Sequence, residues 1–176
     1  MRRRRAIVIV PIAVAGLVAL ACGAWSGGLR VNFTRSYPLG LWRIERLERE
    51  AAVGDLVFIC PPDTAAFRMA RERGYLGRGL CPRWSSPLIK TVVATEGQTI
   101  AIGAGVLIDG RPLPHSSVQP NDAAGRSLTH FAGGRIPAGF LFLHSDFAGS
   151  YDSRYFGPVP AGGLLGRARP LLTFEP

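Results

Sequence analysis

The sequence contains very little lysine. Lys90 is the only lysine in 176 residues, whereas arginine occurs 20 times. Arginine stays protonated in proteins, but a lysine removed from water can lose its proton and act as a base. Lys90 lies in the apolar, β-branched run at residues 88–93, where burial is expected to lower the pKa of its amine. It is therefore either a base or a strand residue whose ammonium group reaches water.

Cysteine and histidine are also scarce, and their positions argue against a metal site. The spacing of Cys60 and Cys81 fits no common zinc motif, and the three histidines are scattered. The sequence predicts neither a metal nor another cofactor. Both cysteines precede a proline and flank an arginine-rich insert at residues 61–80. Outside the cytoplasm they are expected to form a disulfide, and the alternative is two separate buried thiols.

Acidic side chains are few, and much of the positive charge is confined to the N-terminus. The formal net charge is +9, and four of the cationic residues are the arginines at positions 2–5. From residue 29 onward, 17 cationic and 12 acidic side chains leave a net charge of +5. No stripe of basic and aromatic residues is present, which argues against nucleic-acid binding. A mildly basic surface suits anionic lipid instead.

Long apolar runs are limited to residues 6–25, which carry no charge. This segment is just long enough to cross a bilayer as a helix, and the preceding arginines predict a cytoplasmic N-terminus. Two alternatives are a signal-peptide cleavage site at residues 19–21 and a lipoprotein box that ends at Cys22. Either alternative still exports the remainder. We expect an arginine tail and transmembrane anchor over residues 1–28 and a periplasmic domain over residues 29–176.

The remainder has the pattern of short strands separated by many turns. One short helix is predicted over residues 64–73, within the insert, with Asp63 as its N-cap. Asp109 and Gly110 predict a tight hairpin, and residues 114–134 predict a long loop or a reduced subdomain. Strands are predicted over residues 40–44, 54–59, 88–95, 98–102, 106–108, 140–144 and 164–172. This pattern indicates a mainly β, β-rich α+β domain.

Four blocks along the chain resemble those of a known enzyme family. They are Gly54-Asp55-Leu56-Val57; Lys90-Thr91-Val92-Val93 followed by Glu96-Gly97; Val106-Leu107-Ile108-Asp109-Gly110; and Ser150-Tyr151-Asp152-Ser153-Arg154-Tyr155-Phe156-Gly157 with Leu165-Gly166-Arg167-Ala168. They are similar to the type I signal peptidases, which use a Ser–Lys dyad. The resemblance covers nearly the whole chain and implies a signal-peptidase-like β domain.

Other blocks depart from the general signal peptidases. Those enzymes carry Ser-Met and, one residue later, a proline, whereas this chain has Ser36-Tyr37-Pro38-Leu39-Gly40. That variant, the two cysteines and the insert resemble the conjugative-transfer TraF peptidases within the family. Gln98 stands where an aspartate is usual, and His144-Ser145-Asp146 replaces the usual Gly-Asp-Asn.

The resemblance implies a role for each matched site residue. The roles are Ser36 as nucleophile, Lys90 as general base, the Thr34 hydroxyl as an oxyanion donor, Ser150 as the residue that orients Lys90, and Asp152 with Arg154 as a supporting ion pair. A directly catalytic Asp152 is the alternative. Because a serine hydroxyl is a weak nucleophile on its own, Lys90 is expected within hydrogen-bond reach of Ser36.

The resemblance also implies a substrate, partners and a compartment. A peptidase of the inner membrane, with its catalytic domain in the periplasm, would mature a conjugative pilin precursor. Head-to-tail cyclisation through an acyl-enzyme would follow, with type IV secretion components as further partners. Two other hypotheses are a general leader peptidase that removes signal peptides and a non-enzymatic, membrane-tethered assembly factor.

Overall fold

The computed structural model describes residues 2–175, with the side chains of residues 10–175. Within this range the chain is mainly β, as the sequence predicts. The helices are α1 (Arg2–Ser26), α2 (Ala65–Glu72) and α3 (Ser153–Phe156). The strands are β1 (Leu29–Asn32), β2 (Leu39–Glu45), β3 (Leu56–Ile59), β4 (Arg78–Cys81), β5 (Leu88–Thr95), β6 (Thr99–Ile102), β7 (Val106–Ile108), β8 (Arg111–Pro112), β9 (Gly134–Arg135), β10 (Phe140–His144), β11 (Val159–Pro160) and β12 (Leu164–Phe174).

The strands other than β4 form two antiparallel sheets. The larger has the order β1-β2-β12-β3-β5-β10-β11, and the smaller has the order β8-β7-β6-β9. The strand that carries Lys90, β5, therefore lies inside the larger sheet, between β3 and β10. Asp109 and Gly110 connect β7 to β8 with φ values of 50° and 77°, as the predicted tight hairpin requires.

Apolar clusters cover both faces of the larger sheet. On one face, Phe67 of α2 packs with Val57, Val92 and Leu143. On the other, Trp42 packs with Ile89 and neighbouring apolar residues. A third cluster lies between the two sheets and consists of Ala94, Ile100, Val106, Ile136 and Phe142. Burial of these side chains, at about 25 cal/mol per Å² of apolar surface, provides the main driving force for the fold.

Gly40 in β2 allows β12 to pass close beside it. Its φ is 123°, and a Cβ atom at this position would collide with the carbonyl oxygen of Leu172. A larger residue would therefore be both strained and blocked. The close contact of Gly40 with β12 therefore holds the chain in place four residues after Ser36.

The insert is closed by a disulfide between Cys60 and Cys81, which confirms the predicted pairing. Its helix α2 matches the predicted position, but Asp63 is not the N-cap. Thr64 is the N-cap, and its hydroxyl accepts a hydrogen bond of 3.5 Å from the Phe67 N–H. Asp63 instead accepts hydrogen bonds from Arg83, the shorter of 2.7 Å, because the disulfide brings the two ends of the insert together.

Helix α1 contains the segment predicted as an anchor. In the predicted arginine tail, Met1 lies outside the described residues. For residues 2–5 the structure describes the backbone and not the side chains. Among the residues that the structure describes, no helix combines the length and the apolar character needed to span a membrane.

Candidate active site

The loop that carries Ser36 is organised by Asn32, the last residue of β1. Its side-chain amide donates to the carbonyl oxygens of Thr34, Tyr37 and Pro38 at 2.9–3.0 Å. Its Oδ1 accepts from the Thr34 N–H at 3.0 Å and from the Thr34 hydroxyl at 2.7 Å. Asn32 is only 8% exposed, so these bonds form largely away from water. One buried amide therefore sets the course of the chain on both sides of Ser36.

Lys90 points into an apolar environment. It shares a face of β5 with Leu88 and Val92, which both pack in the core cluster on that side of the sheet. Its side chain is 3% exposed. Burial lowers the pKa of Lys90 to about 8, with Asp152 opposing the shift and Arg154 adding to it. A considerable fraction of this amine is therefore neutral in mildly alkaline solution.

Ser150 connects Lys90 to Ser36. The Lys90 amine donates to Ser150 Oγ at 2.7 Å, and the Ser36 hydroxyl donates to the same oxygen at 3.3 Å. Among the side chains that the structure describes, Lys90 and Ser36 share no direct hydrogen bond, and the Ser150 hydroxyl lies between them. Ser150 is 2% exposed. Three residues predicted for the site thus meet in one chain of hydrogen bonds.

Asp152 and Arg154 form a fully buried, bidentate ion pair behind Ser150. Arg154 Nε and Nη2 each donate to the Asp152 carboxylate at 2.8 Å. Arg154 also donates to the carbonyl oxygens of Ser150 at 3.1 Å and Ser117 at 2.7 Å. Burial opposes the ionised form of Asp152, but His144, Arg154 and Lys90 hold the pKa of its carboxyl below the ordinary value. The pair therefore remains charged and holds the backbone around Ser150.

Ser145 links the ion pair to the loop of Ser36. Its hydroxyl donates to the Ser36 carbonyl oxygen at 2.7 Å, and its backbone N–H donates to Asp152 at 3.2 Å. Tyr37 adds a second tie: its hydroxyl shares a bond of 2.7 Å with Thr91 Oγ1 and donates to the His144 carbonyl oxygen. His144 and Ser145, the first two residues of the substituted triplet at residues 144–146, thus position the backbone around Ser36.

The predicted site residues are brought together, with one qualification for Thr34. Its hydroxyl donates to Asn32, so in this structure its proton is directed away from Ser36. Asn32 and Ser145 are positioning residues that the sequence did not reveal. Their contacts to the Ser36 loop are mainly with backbone groups, which no side-chain pattern records. The signal available was an asparagine just before the serine turn, a residue type whose side chain commonly hydrogen-bonds nearby backbone groups in turns.

A cleft of about 850 Å³ opens beside these residues. Residues 29–36 and 86–90 line it, together with residues 75–79 of the insert and residues 147–151. Within residues 10–175, no cluster of three histidine, cysteine or acidic side chains is arranged to hold a metal ion. Next to Ser150, the cleft brings together the hydroxyl of Ser36 and the buried amine of Lys90.

Asn32→Asp tests how strongly the loop depends on the side-chain amide. The three carbonyl oxygens that the amide serves would face a carboxylate oxygen, and each loses its donor. We expect the rate at which a small activated ester acylates the protein to fall about 5- to 150-fold, the range that ~1–3 kcal/mol of unsatisfied polar contacts gives. Ester hydrolysis kinetics measure this rate.

The matched control for Asn32→Asp is Gln98→Glu, an amide-to-acid exchange near the remote hairpin, where Gln98 donates to Asp109. It should leave the acylation rate unchanged. An Asn32→Asp protein that is acylated as fast as the Gln98→Glu protein would mean that the loop does not need Asn32.

Comparisons with known proteins show the family to which the chain belongs. Residues 2–172 match the family described as "Signal peptidase, peptidase S26". The chain belongs to the signal peptidase family. It is 56% identical over 176 residues to a conjugal transfer protein TraF of Agrobacterium tumefaciens, and the match covers 100% of both chains. A probable conjugal transfer protein TraF of Sinorhizobium fredii is 51% identical, with 99% of this chain and 94% of the relative covered.

A more distant relative is a plasmid transfer protein TraF of Escherichia coli. It is 36% identical over 177 residues, and the match covers 98% of this chain and 99% of the relative. The similarity to the TraF proteins therefore extends over the full chain and includes the insert. Membership of the signal peptidase family supports a serine peptidase activity.

Proposed function

We propose that the protein is a serine endopeptidase in which Ser36 is the nucleophile and Lys90 the general base. The observation that carries this proposal is the chain of hydrogen bonds from Lys90 through Ser150 to Ser36, in a pocket that lowers the pKa of the lysine. A depressed pKa together with a serine at the open end of such a chain is the arrangement that nucleophilic catalysis needs. The apolar faces around Lys90 keep its amine available as a base.

Acylation begins when Ser36 Oγ attacks the carbonyl carbon of the scissile bond. The Ser36 proton passes to neutral Lys90, and the carbonyl oxygen becomes an oxyanion. The ammonium of Lys90 then gives its proton to the leaving amine as the C–N bond breaks, which leaves an acyl-enzyme. Because Ser150 separates the two groups at rest, we expect Ser36 to move closer to Lys90 when substrate binds.

The oxyanion needs donors that are in place before the reaction. The backbone N–H of Ser36 is one candidate. The Thr34 hydroxyl becomes a second if it rotates away from Asn32, to which it donates at rest. Asp152 acts indirectly in this proposal, because its contacts hold Ser145, Arg154 and thereby the backbone of the site.

An extended polypeptide fits the edge of the larger sheet. Within residues 2–175, strand β1 pairs with β2 alone, and residues 29–36 line the cleft. Its free edge can pair with substrate backbone, which is a common way of binding peptides. The resemblance to the type I signal peptidases implies small pockets before the scissile bond, which would select small side chains such as alanine.

The biological substrate that we propose is a conjugative pilin precursor. The support is the similarity to TraF proteins over the full chain, at up to 56% identity. Attack on the acyl-enzyme by the amine at the pilin N-terminus, in place of water, would close a head-to-tail ring. The uncharged residues 6–25 behind four arginines would anchor the protein in the inner membrane, with its catalytic domain in the periplasm and in contact with type IV secretion components.

The depressed pKa of Lys90 predicts a pH dependence of acylation. The amine is protonated below its pKa of about 8 and neutral above it. The acylation rate should therefore rise about tenfold per pH unit from pH 6 to pH 7 and level off above pH 8. Stopped-flow measurement with an activated alanyl ester checks this profile. A rate that stays level from pH 6 to pH 9 would contradict a lysine base.

Co-expression with the candidate pilin precursor tests the function as a whole. Wild type and Ser36→Ala are compared, and the intact mass of the pilin is measured. A product one water lighter than the linear cleaved chain, absent with Ser36→Ala, supports a cyclising peptidase. A linear product supports hydrolysis. Cleavage of a secretory precursor in place of pilin supports a general leader peptidase, and no cleavage of either supports an assembly factor.

A further inference from the structure

The insert and the long loop meet beside the cleft. Residues 75–79 belong to the insert and residues 121–123 to the loop at residues 114–133, and both sets line the cleft. We call these two sets the outer wall. None of these residues takes part in the chemistry proposed above. Direct contacts join the two sets.

The outer wall is held together by Asp122. Tyr75 donates a short hydrogen bond to Asp122 Oδ2, and Arg126 Nε donates to the same atom at 2.6 Å. Arg73 Nη1 lies 3.9 Å from Asp122 and donates to the Ser127 carbonyl oxygen at 2.8 Å. We call Arg73, Tyr75, Asp122 and Arg126 the Asp122 cluster. It joins the insert to the loop through one carboxylate.

The Asp122 carboxylate is shielded and charged. Its side chain is 7% exposed. The hydrogen bond from Tyr75, with further bonds from Arg126 and from backbone N–H groups, holds the pKa of Asp122 well below its usual value. Its Oδ1 accepts from the N–H groups of Ala124 and Arg126, each at 2.9 Å. One oxygen thus shapes the loop, and the other binds the insert.

The insert and the loop also contact residues next to the candidate active site. The ring of Tyr75 packs against Tyr151, with 5.1 Å between the ring centres, and Tyr151 follows Ser150 directly. The Tyr151 hydroxyl donates to the Ala66 carbonyl oxygen in α2 at 3.2 Å. At the start of the loop, Arg154 donates to the Ser117 carbonyl oxygen. Displacement of the insert relative to the loop would therefore reshape the cleft next to the site.

We propose that the outer wall binds an extended polypeptide substrate and that Asp122 is the positioning residue that determines the specificity of this binding. The proposal rests on the peptidase function proposed above and adds where selectivity for polypeptides arises. An ester that occupies only the pocket next to Ser36 makes little use of the wall. A peptide that runs along the cleft uses all of it.

Asp122→Ala tests the proposal through the difference between long and small substrates. The long probe is a quenched-fluorescent peptide of about twelve residues, roughly 40 Å when extended, with alanine before the scissile bond. The small probe is the p-nitrophenyl ester of N-acetylalanine. We expect KM for the peptide to rise about tenfold and the acylation rate with the ester to change by less than roughly threefold.

Asp63→Asn is the matched control. Asp63 lies in the same insert and also pairs with arginines, but its partners Arg68, Arg71 and Arg83 are not part of the Asp122 cluster. It should leave KM unchanged for both probes. Asp122→Asn is a milder second variant, because it keeps an oxygen that can accept the hydrogen bonds of the loop turn. Its KM for the peptide should lie between the wild-type and Asp122→Ala values.

Three results would overturn the proposal. The first is a KM for the peptide that neither Asp122 variant changes, and the second is an equal loss of activity on peptide and ester. The third is an equal rise in KM in the Asp63→Asn protein. Failure of the wild-type protein to react with the ester at Ser36 would instead contradict the peptidase function itself, and the wall proposal would fall with it.

Discussion

Lys90→Arg is expected to reduce acylation of Ser36 by about 10²–10⁴-fold, the usual contribution of a general base. Arginine keeps its proton in a protein, so it cannot accept the one that Ser36 loses on attack. Lys90→Met should produce a similar loss, because it has no titratable group at all. The measurement is the rate of p-nitrophenol release from the acetylalanine ester, with thermal unfolding to verify that each variant is folded.

The two Lys90 variants distinguish loss of the base from the effect of a permanent charge in the pocket. Arginine brings a permanent charge into a pocket where Lys90 is 3% exposed, whereas methionine brings none. Arg111→Lys, the reverse exchange on the exposed strand β8, serves as the control and should keep full activity. Acylation within tenfold of wild type in either Lys90 variant would exclude Lys90 as the base.

Arg154→Met is expected to lower the free energy of unfolding by about 3–5 kcal/mol, the typical result of leaving one charge of a buried pair without its partner. Asp152 would then be a carboxylate with no exposure to water and without its bidentate partner. The carbonyl oxygens of Ser150 and Ser117 would also lose donors. Urea unfolding at neutral pH measures the change.

The double variant Asp152→Asn/Arg154→Met provides the control for this prediction. Asparagine removes the unpaired charge and keeps the shape of the side chain, so the double variant should be more stable than Arg154→Met alone. If the free energy of unfolding of Arg154→Met lies within about 1 kcal/mol of the wild-type value, the level of an ordinary surface ion pair, the buried pair does not hold the backbone around Ser150.

Much of the larger sheet could be predicted because its strands have strong local signals. Strand β5 has the bounds that its apolar, β-branched run indicates, and β10 is likewise a short apolar run between turns. The insert was delimited by its two cysteines. The strands β1, β4, β9 and β11 were not predicted. Each has only two to four residues, interrupted by arginine, glycine or proline, so none is an apolar run. Strands β1, β9 and β11 are defined by pairing with β2, β6 and β10.

The site shows a similar division. Ser36, Lys90 and Ser150 could be proposed by resemblance, although they are separated by up to 114 positions and meet only in the folded protein. The roles of Asn32, Ser145 and Asp122 depend on backbone groups or on loop packing, which the sequence does not encode as a spacing. The hydroxyl of Ser150 between Ser36 and Lys90 is likewise a property of three-dimensional placement.

The most direct test of the proposed mechanism is to identify the residue that becomes acylated. Wild-type protein and Ser36→Ala are mixed with the p-nitrophenyl ester of N-acetylalanine at pH 8, quenched with acid and analysed by intact and peptide mass spectrometry. A Ser36 nucleophile with Lys90 as its base predicts one acetylalanyl adduct on the Ser36 peptide of the wild type, absent from Ser36→Ala and slow to form in Lys90→Met. An adduct that forms equally fast in all three proteins, or on another residue, would contradict it.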